Sequence, residues 1–79
     1  MNVTMKMPKV ADSTDEVVIL EILTAVGSHV DKDDVIFNVE TDKATVEVAS
    51  VVSGTVVEIH VSVDDEVVTG DRLVTIKSD

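Results

Sequence analysis

Set against each other at an offset of 37, residues 17–42 and 54–79 match along their length. Glu21 falls on Glu58, Ile22 on Ile59, Val26 on Val63, Val30 on Val67, Asp34 on Asp71 and Asp42 on Asp79. The apolar pattern between these identities agrees too, with Ile19 on Val56 and Ile36 on Leu73. A chain that repeats itself in this way builds two similar halves that bury their apolar faces together, here about a pseudo-twofold axis. Val26-Gly27-Ser28-His29-Val30 and Val63-Asp64-Asp65-Glu66-Val67 then occupy the same turn, and Gly70 stands where Asp33 stands in the first copy. Lys43 follows directly on the first copy, while the equivalent place in the second is the C-terminus. The symmetry therefore predicts that Lys43 and the C-terminus lie at opposite ends of the molecule.

The halves are built of strands. Nineteen valines, with Ile and Thr, favour pleated surfaces, and apolar residues recur at a period of two rather than 3.6. Strands are predicted at Val3 to Met7, Val17 to Ala25, Val35 to Glu40, Ala44 to Ala49, Gly54 to Val63 and Arg72 to Lys77. Short extended pieces at His29-Val30 and Val67-Val68 complete eight. The connections are rich in Asp, Ser and Gly, as turns are. Residues 1–79 form one domain, and a chain of this size buries only about 60–65% of its unfolded surface.

One connection stands apart. Val35 to Glu40 and Ala44 to Ala49 leave a short tip, in which Lys43 is held between two valine-rich strands. Asp42 suits such a turn, because its short side chain bonds nearby backbone. The tip lacks the Asn-Gly or Asp-Gly pair of the commonest two-residue hairpin, so the hairpin is inferred from its flanks. Flanked by the carboxylates of Glu40 and Asp42, Lys43 is not set up as a self-activated nucleophile.

Glu40-Thr41-Asp42-Lys43-Ala44-Thr45-Val46-Glu47-Val48 resembles the attachment motif of the biotinyl/lipoyl domains. It is most similar to the lipoyl domains of the acyltransferase component of 2-oxo acid dehydrogenase complexes. The resemblance covers nearly the whole chain and includes the spacing from Gly27 to Lys43 and on to Ser53-Gly54. It implies an all-β fold, a flattened barrel of two four-stranded antiparallel sheets, with the lysine on a hairpin opposite both termini. It also implies lipoic acid in amide linkage to Lys43, with Glu40, Asp42 and Ala44 read by the enzymes that act there. The family carries Gly at the places of Gly27 and Asp64, where φ is positive, and Asp is among the few residues that tolerate this.

By the same resemblance the chain is a carrier without catalysis of its own, part of a longer dihydrolipoyl acyltransferase. Its lysine-borne cofactor would move acyl groups and electrons as a swinging arm, raising effective concentration at each site. The implied partners are a thiamine-diphosphate-dependent 2-oxo acid decarboxylase, the acyltransferase core, the flavoprotein dihydrolipoyl dehydrogenase and a lipoate-attaching enzyme, with pyruvate favoured as the 2-oxo acid. The segment from Met7 to Glu16, with Ala11, Asp12, Ser13 and Thr14 at its centre, resembles the exposed loop by which the decarboxylase recognises its domain; as a bare sequence it reads as a polar connection.

Other readings compete. The biotinyl branch, a carrier domain of a carboxylase, has a lysine flanked by methionines; Met5-Lys6-Met7 has that form but lies in the first strand. Asp31, Asp33 and Asp34, and Asp64, Asp65 and Glu66, suggest a metal, yet neither group has calcium-loop spacing, and turn carboxylates explain both. A glycine-cleavage carrier would be longer. No Ser/His/Asp arrangement supports an enzyme. A formal charge of −10 with six Lys and Arg speaks against nucleic acid and anionic membranes. The absence of cysteine, of a leader-like N-terminus and of a long apolar run predicts a soluble protein of the cytoplasm or, after processing, of an organelle. With the resemblance, the expectation is the bacterial cytoplasm or the mitochondrial matrix, and an isolated domain that is monomeric.

Overall fold

Alternating apolar and polar residues resolve into eight strands in the computed structural model, which describes residues 1–9 and 16–79. They are β1 (Asn2–Lys6), β2 (Glu16–Ile22), β3 (His29–Val30), β4 (Val35–Glu40), β5 (Thr45–Ala49), β6 (Gly54–Ile59), β7 (Glu66–Val68) and β8 (Arg72–Ser78). Among the described residues there is no helix. The strands form two antiparallel four-stranded sheets, in the orders β1-β8-β6-β3 and β5-β4-β2-β7.

The sequence repeat reappears as backbone geometry. Gly27 N–H donates to the Val56 carbonyl at 2.7 Å, and Asp64 N–H, 37 residues on, donates to the Ile19 carbonyl at 2.8 Å. Val56 N–H returns a bond to Ser28, and Ile19 N–H returns one to Asp65, both at 2.9 Å. Each half thus closes the other. The ladders slip at Ile19/Glu21 and at Val56/Glu58, again 37 apart. Among the described residues the non-glycine ones with positive φ are Asp33 (77°) and Asp64 (76°), and their counterparts are Gly70 (94°) and Gly27 (92°). Asp64 therefore does adopt the strained conformation expected of it.

Between the sheets lie Met5, Met7, Val17, Ile19, Ile36, Phe37, Val39, Leu73, Val74 and Ile76, among others, all buried. The full burial of a residue such as Ile19 or Phe37 contributes about 2–3 kcal/mol. Phe37, the one aromatic residue, is completely enclosed.

Two strands end earlier than predicted. β2 stops at Ile22 instead of Ala25, and β6 at Ile59 instead of Val63. The apolar alternation continues, but Leu23 N–H to Ile36 and His60 N–H to Leu73 are the last cross-strand bonds before the turns closed by Ser28 to Ala25 and Asp65 to Ser62. Leu23 and Val63 are consequently left half exposed. Met7 likewise leaves β1, though its N–H bonds Asp71 and its side chain stays in the core.

The register also fixes the ends of the molecule, whose long axis is 35 Å. Ser78 lies opposite Gly54, and Gly54 opposite Val30, which leads into the start of β4. β4 then runs away from that end, so Glu40 and the tip beyond it lie opposite Ser78 and its partner Met1.

Candidate functional site

The tip between β4 and β5 is organised by Thr41. Its N–H donates to the Ala44 carbonyl at 2.8 Å, and its hydroxyl donates to the same carbonyl at 3.0 Å. The hydroxyl oxygen accepts the N–H of Lys43 at 3.2 Å and that of Ala44 at 3.1 Å. One donor and two acceptor positions are all a hydroxyl has, and all are used. The side chain replaces the main-chain carbonyl that would otherwise close the turn, so Asp42 and Lys43 alone span the two strands. Neither has a positive φ, which excludes the mirror-image turns that need Asn-Gly. That is why the signature is missing from a genuine two-residue hairpin.

Lys43, Asp42 and Ala44 are exposed at this tip, and Glu40, exposed, ends β4 opposite Thr45. The structure thus places Glu40, Asp42, Lys43 and Ala44 together at this tip. The loop residues Ala11, Asp12, Ser13 and Thr14 lie outside the described residues. The chain that follows them does reach this end, since Val18 faces Glu40 across the ladder and Glu16 faces Val68. The residue that sequence reasoning overlooked is Thr41; a hydroxyl opening a short turn was the available signal.

The two sheets differ sharply in charge. The strands of the lysine sheet carry Glu16, Glu21, Glu40, Glu47 and Glu66 and no Lys or Arg. Those of the other sheet carry Lys6, Arg72 and Lys77 against Glu58 alone. The tip lysine is therefore a cation set at the end of an acidic face.

Among the described residues no second site competes with it. Met5 and Met7 are buried and Lys6 pairs with Arg72 along the β1–β8 ladder, so the methionine-flanked lysine is an element of the sheet. The turn carboxylates bond their own turns: Asp34 accepts Asp31 N–H, Asp65 accepts Ser62 N–H and Asp71 accepts Val68 N–H, at 2.8–2.9 Å. Among the described residues no three acidic or histidine side chains gather as a metal site. The histidines are each engaged locally: His29 Nε2 lies 2.9 Å from Asp79 Oδ2, and His60 Nε2 lies 2.8 Å from Thr75 Oγ1. The Asp79 hydrogen bond, with the charges of Asp79, Asp31 and Asp34, raises the His29 pKa above its ordinary 6.5. No helix is long and apolar enough to cross a membrane among the described residues.

Known proteins agree with this arrangement. The family model described as "Biotin-requiring enzyme", of the biotin/lipoyl group, matches residues 3–76. The acetyltransferase component of the pyruvate dehydrogenase complex of Haemophilus influenzae is 40% identical over 65 residues, 82% of this chain and 12% of that protein. The mitochondrial succinyltransferase component of the 2-oxoglutarate dehydrogenase complex of Saccharomyces cerevisiae is 32% identical over 94% of this chain and 16% of that protein. The chain thus spans a small part of the relatives it matches. The solution structure of the lipoyl domain of the 2-oxoglutarate dehydrogenase complex from Azotobacter vinelandii superposes with a TM-score of 0.77 at 26% identity, covering 96% of both chains. With the match running from the first strand through the last, the chain belongs to the biotin/lipoyl-attachment family, as a lipoyl domain of the 2-oxo acid dehydrogenase acyltransferase kind.

Proposed function

We propose that Lys43 is the lipoyl-lysine of this domain, and that the domain serves as the swinging-arm carrier of a 2-oxo acid dehydrogenase complex. The observation that carries the reading is the tip itself: an exposed lysine on a two-residue turn that Thr41 holds from its side chain. Joined by an amide to Lys43, lipoic acid supplies a dithiolane able to take up an acyl group together with two electrons. The chain's own contribution is mechanical and electrostatic. Thr41 and the flanking ladders fix the root of the arm, so that the freedom of the arm begins at the Lys43 side chain. Its four methylenes lengthen the reach, and the side chain is exposed at the tip. Tethering then keeps the carried group at high effective concentration before each partner.

The partners in this reading are a thiamine-diphosphate-dependent decarboxylase, the acyltransferase core, dihydrolipoyl dehydrogenase and a lipoate-attaching enzyme, with pyruvate as the favoured 2-oxo acid. Ala11, Asp12, Ser13 and Thr14 would aid recognition by the decarboxylase. The test is an intact mass after incubation with lipoate, ATP and the attaching enzyme, followed by peptide mapping. One lipoyl group on Lys43, absent from Lys43→Ala, is the expected result. Biotin taken up at Lys43 from a biotin ligase, with no lipoate uptake, would overturn it in favour of a carboxylase carrier.

A further inference from the structure

The two sheets end in four edge strands, and three of them are poor templates for another chain. β3 and β7 have two and three residues, while β1 ends in Lys6 at a register slip and runs on toward Pro8. The fourth, β5, has five residues with neither Pro nor Lys, and its pairing to β4 is unbroken from Thr45 through Val48. Among the described residues β5 pairs with β4 only. Its hydrogen-bond phase follows from the tip. Because Thr41 N–H bonds the Ala44 carbonyl, Val39–Val46 and Phe37–Val48 are the bonded pairs, and Glu40–Thr45 and Asn38–Glu47 are the unbonded ones. The N–H and C=O groups of Thr45 and Glu47 therefore point away from β4, and no other strand takes them up among the described residues.

Those groups form a docking ladder of known kind, in which main-chain bonds hold an added strand and alternate side chains select it. Glu47 is the selector. Its carboxylate, with Glu40 beside it and Glu21 across Asn38, repels an acidic strand or a second β5 and attracts a basic one. The same edge sets a distance, since Glu47 lies four residues, about 14 Å of extended chain, from Lys43.

Resting on the carrier reading above, we propose that the free edge of β5, centred on Glu47, is where the decarboxylase adds an extended segment bearing a Lys or Arg. The attaching enzyme can grip Lys43 itself. The decarboxylase meets an arm whose reactive end is mobile, so the fixed backbone beside the root marks for it where the arm begins. An added strand reads that backbone directly and at fixed register.

The experiment uses the domain lipoylated on Lys43, verified by mass, with the decarboxylase that reductively acylates it. Glu47→Pro removes an outward N–H that β4 does not use, and Thr4→Pro does the same at the equivalent place on β1. The expected result is a KM for the domain raised about tenfold by Glu47→Pro with kcat largely kept, little change with Thr4→Pro, and a smaller rise with Glu47→Gln. In the unaltered domain, amide exchange at Thr45 and Glu47 slows on binding while that at Asn2 and Thr4 does not. This measurement decides the matter if Glu47→Pro fails to fold. Unslowed exchange at Thr45 and Glu47, or an unchanged KM in folded, lipoylated Glu47→Pro, overturns the proposal. A parent domain that takes no lipoate overturns the carrier reading instead.

Discussion

Asp64 holds, at φ 76°, the left-handed turn conformation that Gly27 holds at 92°, and each donates its N–H to a carbonyl of the opposite half. An L side chain in this region costs about 1–2 kcal/mol, whereas a glycine adds about 0.4–1 kcal/mol of freedom to the unfolded chain. Strain outweighs freedom, so Asp64→Gly stabilises the domain by about 0.5–1 kcal/mol. Conversely Gly27→Ala costs about 1–2 kcal/mol by backbone strain alone, since nothing lies within 4 Å of the place a Cβ would take. Urea unfolding at neutral pH measures both signs.

Gly54 is indispensable for a different reason. Its backbone is not strained, but a Cβ there would run into the Lys77 carbonyl oxygen and lie 2.8 Å from the Lys77 carbonyl carbon and 2.9 Å from Ser78 Cα. All three are backbone atoms of β8, which cannot withdraw without breaking its ladder to β6. Gly54→Ala therefore costs more than about 3 kcal/mol, or abolishes folding. Circular dichroism and a urea midpoint unchanged from the parent would contradict this.

Much of this architecture was legible because repeat and alternation are both properties of spacing. The offset that pairs Gly27 with Asp64 marked one turn used twice, the family resemblance implied its left-handed backbone, and the flanking strands marked the Lys43 hairpin without any turn signature. What stayed hidden depended on single atoms or distant pairs. Leu23 and Val63 continue an apolar alternation after the backbone has left the sheet, so the sequence pattern overruns the ends of β2 and β6. Thr41 reads as one more residue of the short tip until its hydroxyl is seen holding both sides of the turn. His29 and Asp79 are 50 residues apart, and nothing local announces their contact. The charge difference between the sheets became visible only once the strand order was known.

Thr41→Val retains the β-branched shape and removes the three hydroxyl bonds at the tip. Water can replace them at this exposed turn, so global stability falls by only about 1 kcal/mol. The local effect is larger: the Lys43 and Ala44 amides exchange faster, and the attaching enzyme modifies Lys43 about tenfold less efficiently because its root is no longer fixed. Thr41→Ser restores both. Unaltered exchange and attachment in Thr41→Val would show that the flanking ladders suffice to hold the tip.

His29 gives the domain a pH response at the end opposite Lys43. Its ring bonds Asp79 at 2.9 Å and lies 3.8 Å from Asp31 Oδ1, and that hydrogen bond, with the charges of Asp79, Asp31 and Asp34, outweighs desolvation to raise the pKa above 6.5. A raised pKa in the folded state means that the charged ring stabilises it. The contribution is fully present below 6.5 and is lost as pH rises through the folded value. An NMR titration of His29 should give a midpoint above 6.5 that falls toward it in Asp79→Asn. His29→Gln should lower the melting temperature near pH 6 more than near pH 8.5, by a small margin because both partners are exposed. A His29 midpoint insensitive to Asp79→Asn would mean that the contact does not hold in solution, and the C-terminal end would then rest on the Asp79 N–H to Ser53 bond and the Ser78 bonds to Met1.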